Sequence, residues 1–163
     1  MSPKLEGPGA TVPVPIEYAK FRVETKLVRS KVWDPELDVV ISNPDKVAEV
    51  TRKIEGSDRE RVIVLYMDRK NAIVGIQELA IGLRSASMVP PDAIYRMALL
   101  TNASGFIVVH NHPSGSVNFS PEDHIVAKKL SEGAKLLDMS LLDFVVVGNG
   151  NVASIRQEGG LNE

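Results

Sequence analysis

The chain has 163 residues, of which 44% are apolar, and this is enough for one compact domain with a hydrophobic core of its own. It contains no cysteine, which excludes disulfides and thiolate metal ligands and leaves histidine, aspartate and glutamate as candidate ligands. The net charge of −2 argues against a dedicated nucleic-acid binder, and without a membrane-length apolar run or a signal-peptide core we expect a cytoplasmic protein with no membrane contact.

The amino-terminal part of the chain is predicted to have two sections. Residues 1–17 are rich in proline and glycine and poor in apolar side chains, so we expect a flexible leader, followed by a single domain over 18–163. The domain is predicted to open with a strand between Tyr18 and Trp33 whose outer face is basic. That face could recruit DNA, but we favour a role in protecting a sheet edge from aggregation. Its residues are Lys20, Arg22, Lys26, Arg29 and Lys31.

Turn residues, capping residues and apolar periodicity divide the rest of the chain into further elements. A helix is expected after the capping sequence SNPD at 42–45, with Gly56 at its end. Two apolar runs separated by a polar turn predict a hairpin over 62–76. A helix, a buried strand, a long helix and two closing strands follow, at 90–101, 105–109, 120–137, 141–147 and 152–156. These elements predict an α/β (α+β) fold with a mixed sheet flanked by helices.

All three histidines of the chain lie between positions 110 and 124. His110 and His112 follow a predicted strand, and two positions apart in an extended chain their imidazoles lie on the same side, where one ion can accept both nitrogens. A His-x-His pair alone is weak evidence for a metal. His124 follows Asp123 on a predicted helix, so its side chain points about 100° away from that of Asp123 and is expected to stay outside the ligand set.

The start of the long helix offers a third ligand. Helix capping by itself accounts for Ser120 and Asp123, since a serine followed three residues later by an acid resembles a capping box. Pro113 and Gly115 can also turn the chain back, so that Asp123 reaches the histidines. Two imidazoles and one carboxylate leave a fourth position for water, as in catalytic zinc sites. Zinc lowers the pKa of such a water from about 15.7 towards ~7, and a carboxylate must then take the proton.

The joint spacing of these residues resembles a known metal motif. His110-x-His112, then seven residues, Ser120, two residues and Asp123 is similar to the motif of the JAMM (MPN+) metalloprotease superfamily. The surrounding sequences VVHNHPSG and ELAIG resemble its RadC-like branch, and the similarity runs from about residue 61 to 156. The resemblance implies a JAB1/MPN-like (cytidine-deaminase-like) fold, a mixed sheet flanked by helices, with one zinc ion per chain held by His110, His112 and Asp123.

The resemblance also implies roles for two further residues. Ser120 would stabilise the oxyanion of the reaction, and Glu78 in the sequence GIQELAIG would be the general base. From its spacing alone, Glu78 would more often be a solvent-facing strand residue. The sequence LAIGL that follows it departs from the branch, in which an aromatic residue and a threonine are common.

Together these features predict a zinc-dependent hydrolase of the metalloprotease type, which cleaves a peptide or isopeptide bond in a peptide or protein substrate. One alternative is a metal-dependent nuclease associated with DNA repair, although the helix-hairpin-helix module frequent in the RadC-like branch is not in this sequence. A second alternative is a non-enzymatic MPN scaffold, which the complete ligand set disfavours. The sequence leaves the oligomeric state open.

Overall fold

A computed structural model describes residues 39–83 and 89–161, with the backbone alone for residues 80–83. The predicted leader, the predicted strand between Tyr18 and Trp33 and its basic face therefore lie outside the described residues. No helix in the described ranges is long and apolar enough to cross a membrane.

The described residues form an α+β domain with a five-stranded sheet and helices on both faces, as the sequence predicted. Helix α1 begins after the Asn43 cap and ends at Thr51 rather than near Gly56, because the chain tightens into a 3₁₀ turn over Arg52–Ile54. The second strand runs to Leu83, further than predicted. The elements are α1 (Pro44–Thr51), β1 (Glu60–Met67), β2 (Ile73–Leu83), α2 (Pro91–Leu100), β3 (Gly105–Asn111), α3 (Pro121–Leu136), β4 (Ser140–Gly148) and β5 (Asn151–Ser154).

The strand order across the sheet is β2-β1-β3-β4-β5, with β3 in the centre. β1 pairs antiparallel with both β2 and β3, β3 pairs parallel with β4, and β4 pairs antiparallel with β5. A parallel pair requires a crossover connection, and α3 supplies it between β3 and β4. Helix α3 therefore begins near the end of β3, which brings its first turn towards the residues that follow that strand.

Two apolar clusters cover the two faces of the sheet. One lies under α2 and α3 and the other under α1. Along β1 the side chains alternate, so that Val62, Val64 and Tyr66 face the first cluster whereas Ile63 and Leu65 face the second. His110 stands opposite Val62 in the β1–β3 register, so its side chain lies on the face that carries α3.

Candidate metal centre

His110 is the buried member of the site. It lies in the fully buried strand β3, flanked in register by Val62 on β1 and Val146 on β4, and its side chain is 1% exposed. The Phe144 ring packs edge-on against the imidazole, with ring centroids 5.2 Å apart. The central position in the sheet fixes both the depth and the direction of this imidazole.

His112 lies one residue beyond β3, and its side chain is 20% exposed. Its Nδ1 is 3.0 Å from the Ser116 carbonyl oxygen. A carbonyl can only accept, so Nδ1 carries the hydrogen and donates it. The lone pair of the neutral ring is then on Nε2, which faces His110, with 3.1 Å between the two Nε2 atoms. The loop carbonyl thus selects the tautomer whose Nε2 lone pair could bind a metal ion.

Asp123 is held by the helix cap that the sequence predicted. Ser120 is the N-cap of α3, and its hydroxyl accepts a hydrogen bond from the Asp123 backbone amide at 3.2 Å. In return, Asp123 Oδ2 accepts hydrogen bonds from the Ser120 amide at 2.7 Å and from the Ser120 hydroxyl at 2.8 Å. The other oxygen, Oδ1, is buried and makes no hydrogen bond with a described residue. One carboxylate therefore serves the cap with one oxygen and points the other into the site.

The structure brings His110, His112 and Asp123 together, with one possible ligand atom from each lying within 4.8 Å of the others. His110 Nε2 is 3.1 Å from Asp123 Oδ1, and His112 Nε2 is 3.6 Å from Asp123 Oδ2. Ligand atoms around a tetrahedral zinc ion are about 3.3 Å apart, given zinc–ligand lengths of about 2.0–2.1 Å. The three side chains fit a divalent metal ion. Asp123 Oδ1 lies near His110 Nε2 but makes no hydrogen bond with a described residue, and such an ion would satisfy it.

The electrostatics of Asp123 also suit a ligand. Burial by itself would raise the pKa of this carboxyl. The close approach and charge of His110, together with the two hydrogen bonds from Ser120, outweigh burial and lower the pKa to about 2. The carboxylate is therefore ionised at neutral pH even in the metal-free protein.

Glu78, the glutamate predicted as general base, lies apart from these three residues. It stands opposite Ile63 in the β1–β2 register, and Ile63 faces the apolar cluster under α1. Its carboxylate accepts a hydrogen bond from Arg61 Nε at 2.6 Å and forms an ion pair with that guanidinium. Residues opposite one another in a sheet share a face, so this register directs Glu78 away from the face of His110.

Glu60 is a carboxyl next to the site that the sequence analysis missed. It is the first residue of β1 and is 8% exposed. Burial raises the pKa of Glu60; the charges of His110 and His112 lower it, and the charge of Asp123 raises it. The charges of all three site residues act on this carboxyl, but Glu60 is not one of the residues that could hold the ion among those described. The available signal was strand alternation, which places a residue two before Val62 on the same face as Val62.

Asn111 links the start of β1, where Glu60 lies, to the end of β3. It is buried, lies between His110 and His112 in the sequence, and contacts the backbone on both sides of Glu60. Its Oδ1 accepts a hydrogen bond from the Arg61 amide at 2.9 Å, and its Nδ2 donates to the Arg59 carbonyl at 3.2 Å. Asn111 therefore fixes the backbone around Glu60 relative to His110 and His112.

His124, the third histidine, is exposed, and its ring packs near Phe119, with centroids 5.7 Å apart. It is outside the group of possible ligands among the described residues.

The sheet, the crossover helix and the cluster at the end of the central strand define the class of protein: an α+β domain of the JAB/MPN-like fold. The sequence model of the family described as the RadC-like JAB domain matches residues 41–161. The chain therefore belongs to the RadC-like JAB domain family, and the resemblance noted from its motifs is confirmed.

Curated proteins from diverse organisms are similar to the same part of the chain. The UPF0758 protein of Methanosarcina acetivorans is 38% identical over 120 residues, which cover 74% of this chain and 52% of that protein. For the UPF0758 protein of Shouchella clausii the identity is 37% over 141 residues, 86% of this chain and 57% of the relative. For the UPF0758 protein of Syntrophomonas wolfei the identity is 34% over 144 residues, which cover 85% of this chain and 61% of the relative. The chain spans little more than half the length of these relatives.

Proposed function

We propose that this domain is a zinc-dependent hydrolase that cleaves a peptide or isopeptide bond in a peptide or protein substrate. The observation that carries the proposal is the meeting of three buried or half-buried ligand atoms with a separate buried carboxyl, Glu60, beside them. Membership of the RadC-like JAB family supports the coarser assignment to a superfamily of metal-dependent hydrolases.

His110, His112 and Asp123 are the residues that would hold the ion. Zinc held by three protein ligands supplies a Lewis acid and lowers the pKa of water to about 7, which makes a nucleophile available at neutral pH. Hydrogen bonds within the chain orient two of these ligands before the ion binds. The Ser116 carbonyl fixes the tautomer of His112, and Ser120 keeps the Asp123 carboxylate oriented. Less reorganisation is then needed when the ion binds.

We assign the general base to Glu60 rather than to Glu78. A base must reach the reacting water, directly or through one other water. Glu60 lies where the charges of the ligand residues act on it, and burial keeps its pKa above the ordinary glutamate value, which strengthens it as a proton acceptor. Glu78 is instead paired with Arg61. Its predicted role would require this ion pair to break and the side chain to change face.

We propose that the first role of Ser120 is to hold the Asp123 carboxylate in place. In the arrangement described above, its hydroxyl hydrogen is engaged by Asp123 Oδ2. The oxyanion role implied by the family resemblance would therefore require this hydrogen bond to be exchanged for one to the substrate during the reaction.

The proposal is tested by loading the purified full chain with zinc and offering it labelled peptides, isopeptide-linked peptides and labelled single- and double-stranded DNA. We expect zinc-dependent cleavage of an amide substrate that the Glu60→Gln variant does not perform. Zinc-dependent cleavage of DNA alone would replace the peptidase proposal with the nuclease alternative. Stable zinc binding with no hydrolysis of any substrate class would favour a scaffold.

A further inference from the structure

Of the three candidate ligands, His112 is the one that lies in a loop rather than in a strand or helix. His110 is fixed within a central strand and Asp123 within the capped first turn of α3. His112 lies beyond the end of β3, and its ring is oriented by the hydrogen bond from Nδ1 to the Ser116 carbonyl and by edge-on packing against the His110 ring, with centroids 4.9 Å apart. The His110 ring is held by its strand, so the contact that depends on the loop is the one to Ser116.

The loop of residues 112–116 packs directly against the hairpin turn between β4 and β5. A Cβ atom added at Gly148 would lie 2.6 Å from the Gly115 carbonyl oxygen and 3.0 Å from the Gly115 carbonyl carbon. In the other direction, a Cβ atom added at Gly115 would lie 2.1 Å from Asn149 Nδ2. Each glycine leaves room for the other segment, so the loop backbone and the turn lie in direct contact.

The turn between β4 and β5 is a tight two-residue hairpin. Asn149 has φ 51° and Gly150 has φ 75°, and the flanking residues Gly148 and Asn151 are paired. Positive φ at both central residues of a two-residue hairpin is the geometry of a type I′ turn, for which Asn-Gly is the preferred sequence. The Gly150 amide also donates a hydrogen bond to Glu55 Oε2 at 3.2 Å, which ties the turn to the segment after α1.

We propose that the β4–β5 turn is a positioning element for the metal site: Gly148 and Asn149 hold the 112–116 loop on the course that sets the Ser116 carbonyl against His112 Nδ1. The inference rests on the proposed metal site. It adds residues that touch no ligand atom in the described contacts and that act on metal affinity through the backbone of the loop.

The first test compares Gly148→Ala with Gly56→Ala. Neither glycine has a φ in the left-handed region, and a Cβ at Gly56 meets nothing within 4 Å, so the two differ in whether the new methyl group strikes the loop. By competition with a zinc chelator, we expect Gly148→Ala to bind zinc ~10- to 100-fold more weakly, the usual effect of losing outer support of a ligand, and Gly56→Ala to match wild type. Val47→Ala, in the opposite core cluster, controls for general destabilisation and should leave zinc affinity unchanged.

The second readout needs no metal. In metal-free protein, the nitrogen-bound hydrogen on His112 Nδ1 should be visible by NMR as a hydrogen-bonded imidazole signal, and Gly148→Ala should lose it. If Gly148→Ala retains both this signal and wild-type zinc affinity, the inference is overturned while the metal site stands. If wild-type protein binds no zinc, the proposed function fails, and the NMR comparison still decides whether the turn positions His112.

A rescue experiment covers the case in which Gly148→Ala does not fold. Gly115→Ala should weaken zinc binding through its clash with the Asn149 side chain and through strain at φ +74°. Adding Asn149→Gly removes the clash but not the strain, so the double variant should recover part of the lost affinity. A double variant no better than Gly115→Ala would show that contact with the turn is irrelevant to the ligand.

Discussion

Glu60 and Glu78 lie on neighbouring strands, β1 and β2, but in different environments. Glu60 is 8% exposed, and its pKa is shifted by the charges of the three candidate ligand residues. The Glu78 side chain is 28% exposed and is paired with a guanidinium. The ion pair with Arg61 would have to break before the Glu78 carboxylate could reach a water at the site. The difference gives a direct experimental comparison between the two candidates.

Glu60→Gln should retain zinc and lose turnover. Glutamine keeps the shape of the side chain but cannot take a proton, and general acid–base catalysis typically contributes ~10²- to 10⁴-fold. Glu78→Gln is the matched control and should stay within a few fold of wild type. Zinc content by elemental analysis and the cleavage rate of the substrate found in the screen are the measurements. Full activity of Glu60→Gln together with an inactive Glu78→Gln would support Glu78 as the base, as the family resemblance implies.

His112 and His124, the two histidines that are not fully buried, also make a matched pair of variants. His112→Ala should abolish stable zinc binding, because it removes a ligand atom 3.1 Å from His110 Nε2. His124→Ala should leave the expected stoichiometry of one zinc ion per chain unchanged, since its ring lies near Phe119 and outside the ligand group. Elemental analysis after zinc loading measures both. Equal metal loss in the two variants would mean that the ligands have been misassigned.

At the scale of an element, the first turn of α3 has two tasks. Ser120 and Asp123 form a capping box, in which side chain and backbone satisfy each other's hydrogen-bonding groups. The same bonds direct the free carboxylate oxygen towards His110. Helix stability and ligand geometry therefore depend on the same pair of residues.

Ser120→Ala should affect both. Losing an N-cap hydroxyl typically costs about 1 kcal/mol of folding free energy, measured here by urea unfolding of the metal-free protein. Zinc affinity should fall as well, because Asp123 Oδ2 loses the 2.8 Å hydrogen bond that orients it. Ser120→Thr retains a hydroxyl and should preserve most of the stability and the affinity. If Ser120→Ala lost stability but bound zinc like wild type, the cap alone would explain this serine.

At the scale of the whole molecule, the candidate metal site joins segments that are distant in sequence. β3, the loop after it and α3 meet there, and β1 contributes Glu60. A ligand that binds the folded protein stabilises it according to its concentration, by about 2.7 kcal/mol at a hundred times Kd.

Zinc should therefore raise the thermal unfolding midpoint of the wild-type chain in a concentration-dependent way. Chelator should reverse the increase, and Asp123→Asn should respond far less, because it lacks the charged ligand. Differential scanning calorimetry with increasing zinc measures the effect. A midpoint that does not change with zinc concentration would contradict tight binding to the folded state.

The pH dependence of the metal-free protein should carry the signature of Asp123. The folded pKa of this carboxyl, about 2, is below its ordinary value of 3.8. A carboxyl with a lowered folded pKa contributes stability that is present above the unfolded pKa and is lost as pH falls towards the folded one. Between about pH 4 and about pH 2, Asp123→Asn should lose less stability than wild type, as followed by urea unfolding. Parallel losses would show that the Asp123 pKa is not lowered by folding.

The sequence by itself determined most of the elements and pointed to the three residues that could hold a metal ion. Capping residues, turn residues and apolar periodicity are local signals, and they predicted α1, the β1–β2 hairpin and the capped start of α3. The spacing of His110, His112, Ser120 and Asp123 selected the residues that the fold brings together, because strand and helix periodicity fix side-chain directions over short distances.

Only the tertiary structure shows which glutamate lies on the sheet face of His110 and which segment packs against the loop after β3. Glu60 and His110 are fifty positions apart, and their proximity depends on the pairing of β1 with β3. The direction of Glu78 depends on its register against β1, where a shift of one residue would move its side chain to the other face. The contact between Gly148 and the loop likewise follows from the parallel pairing of β3 with β4. Strand pairing joins residues far apart in the chain, and local patterns do not encode its register.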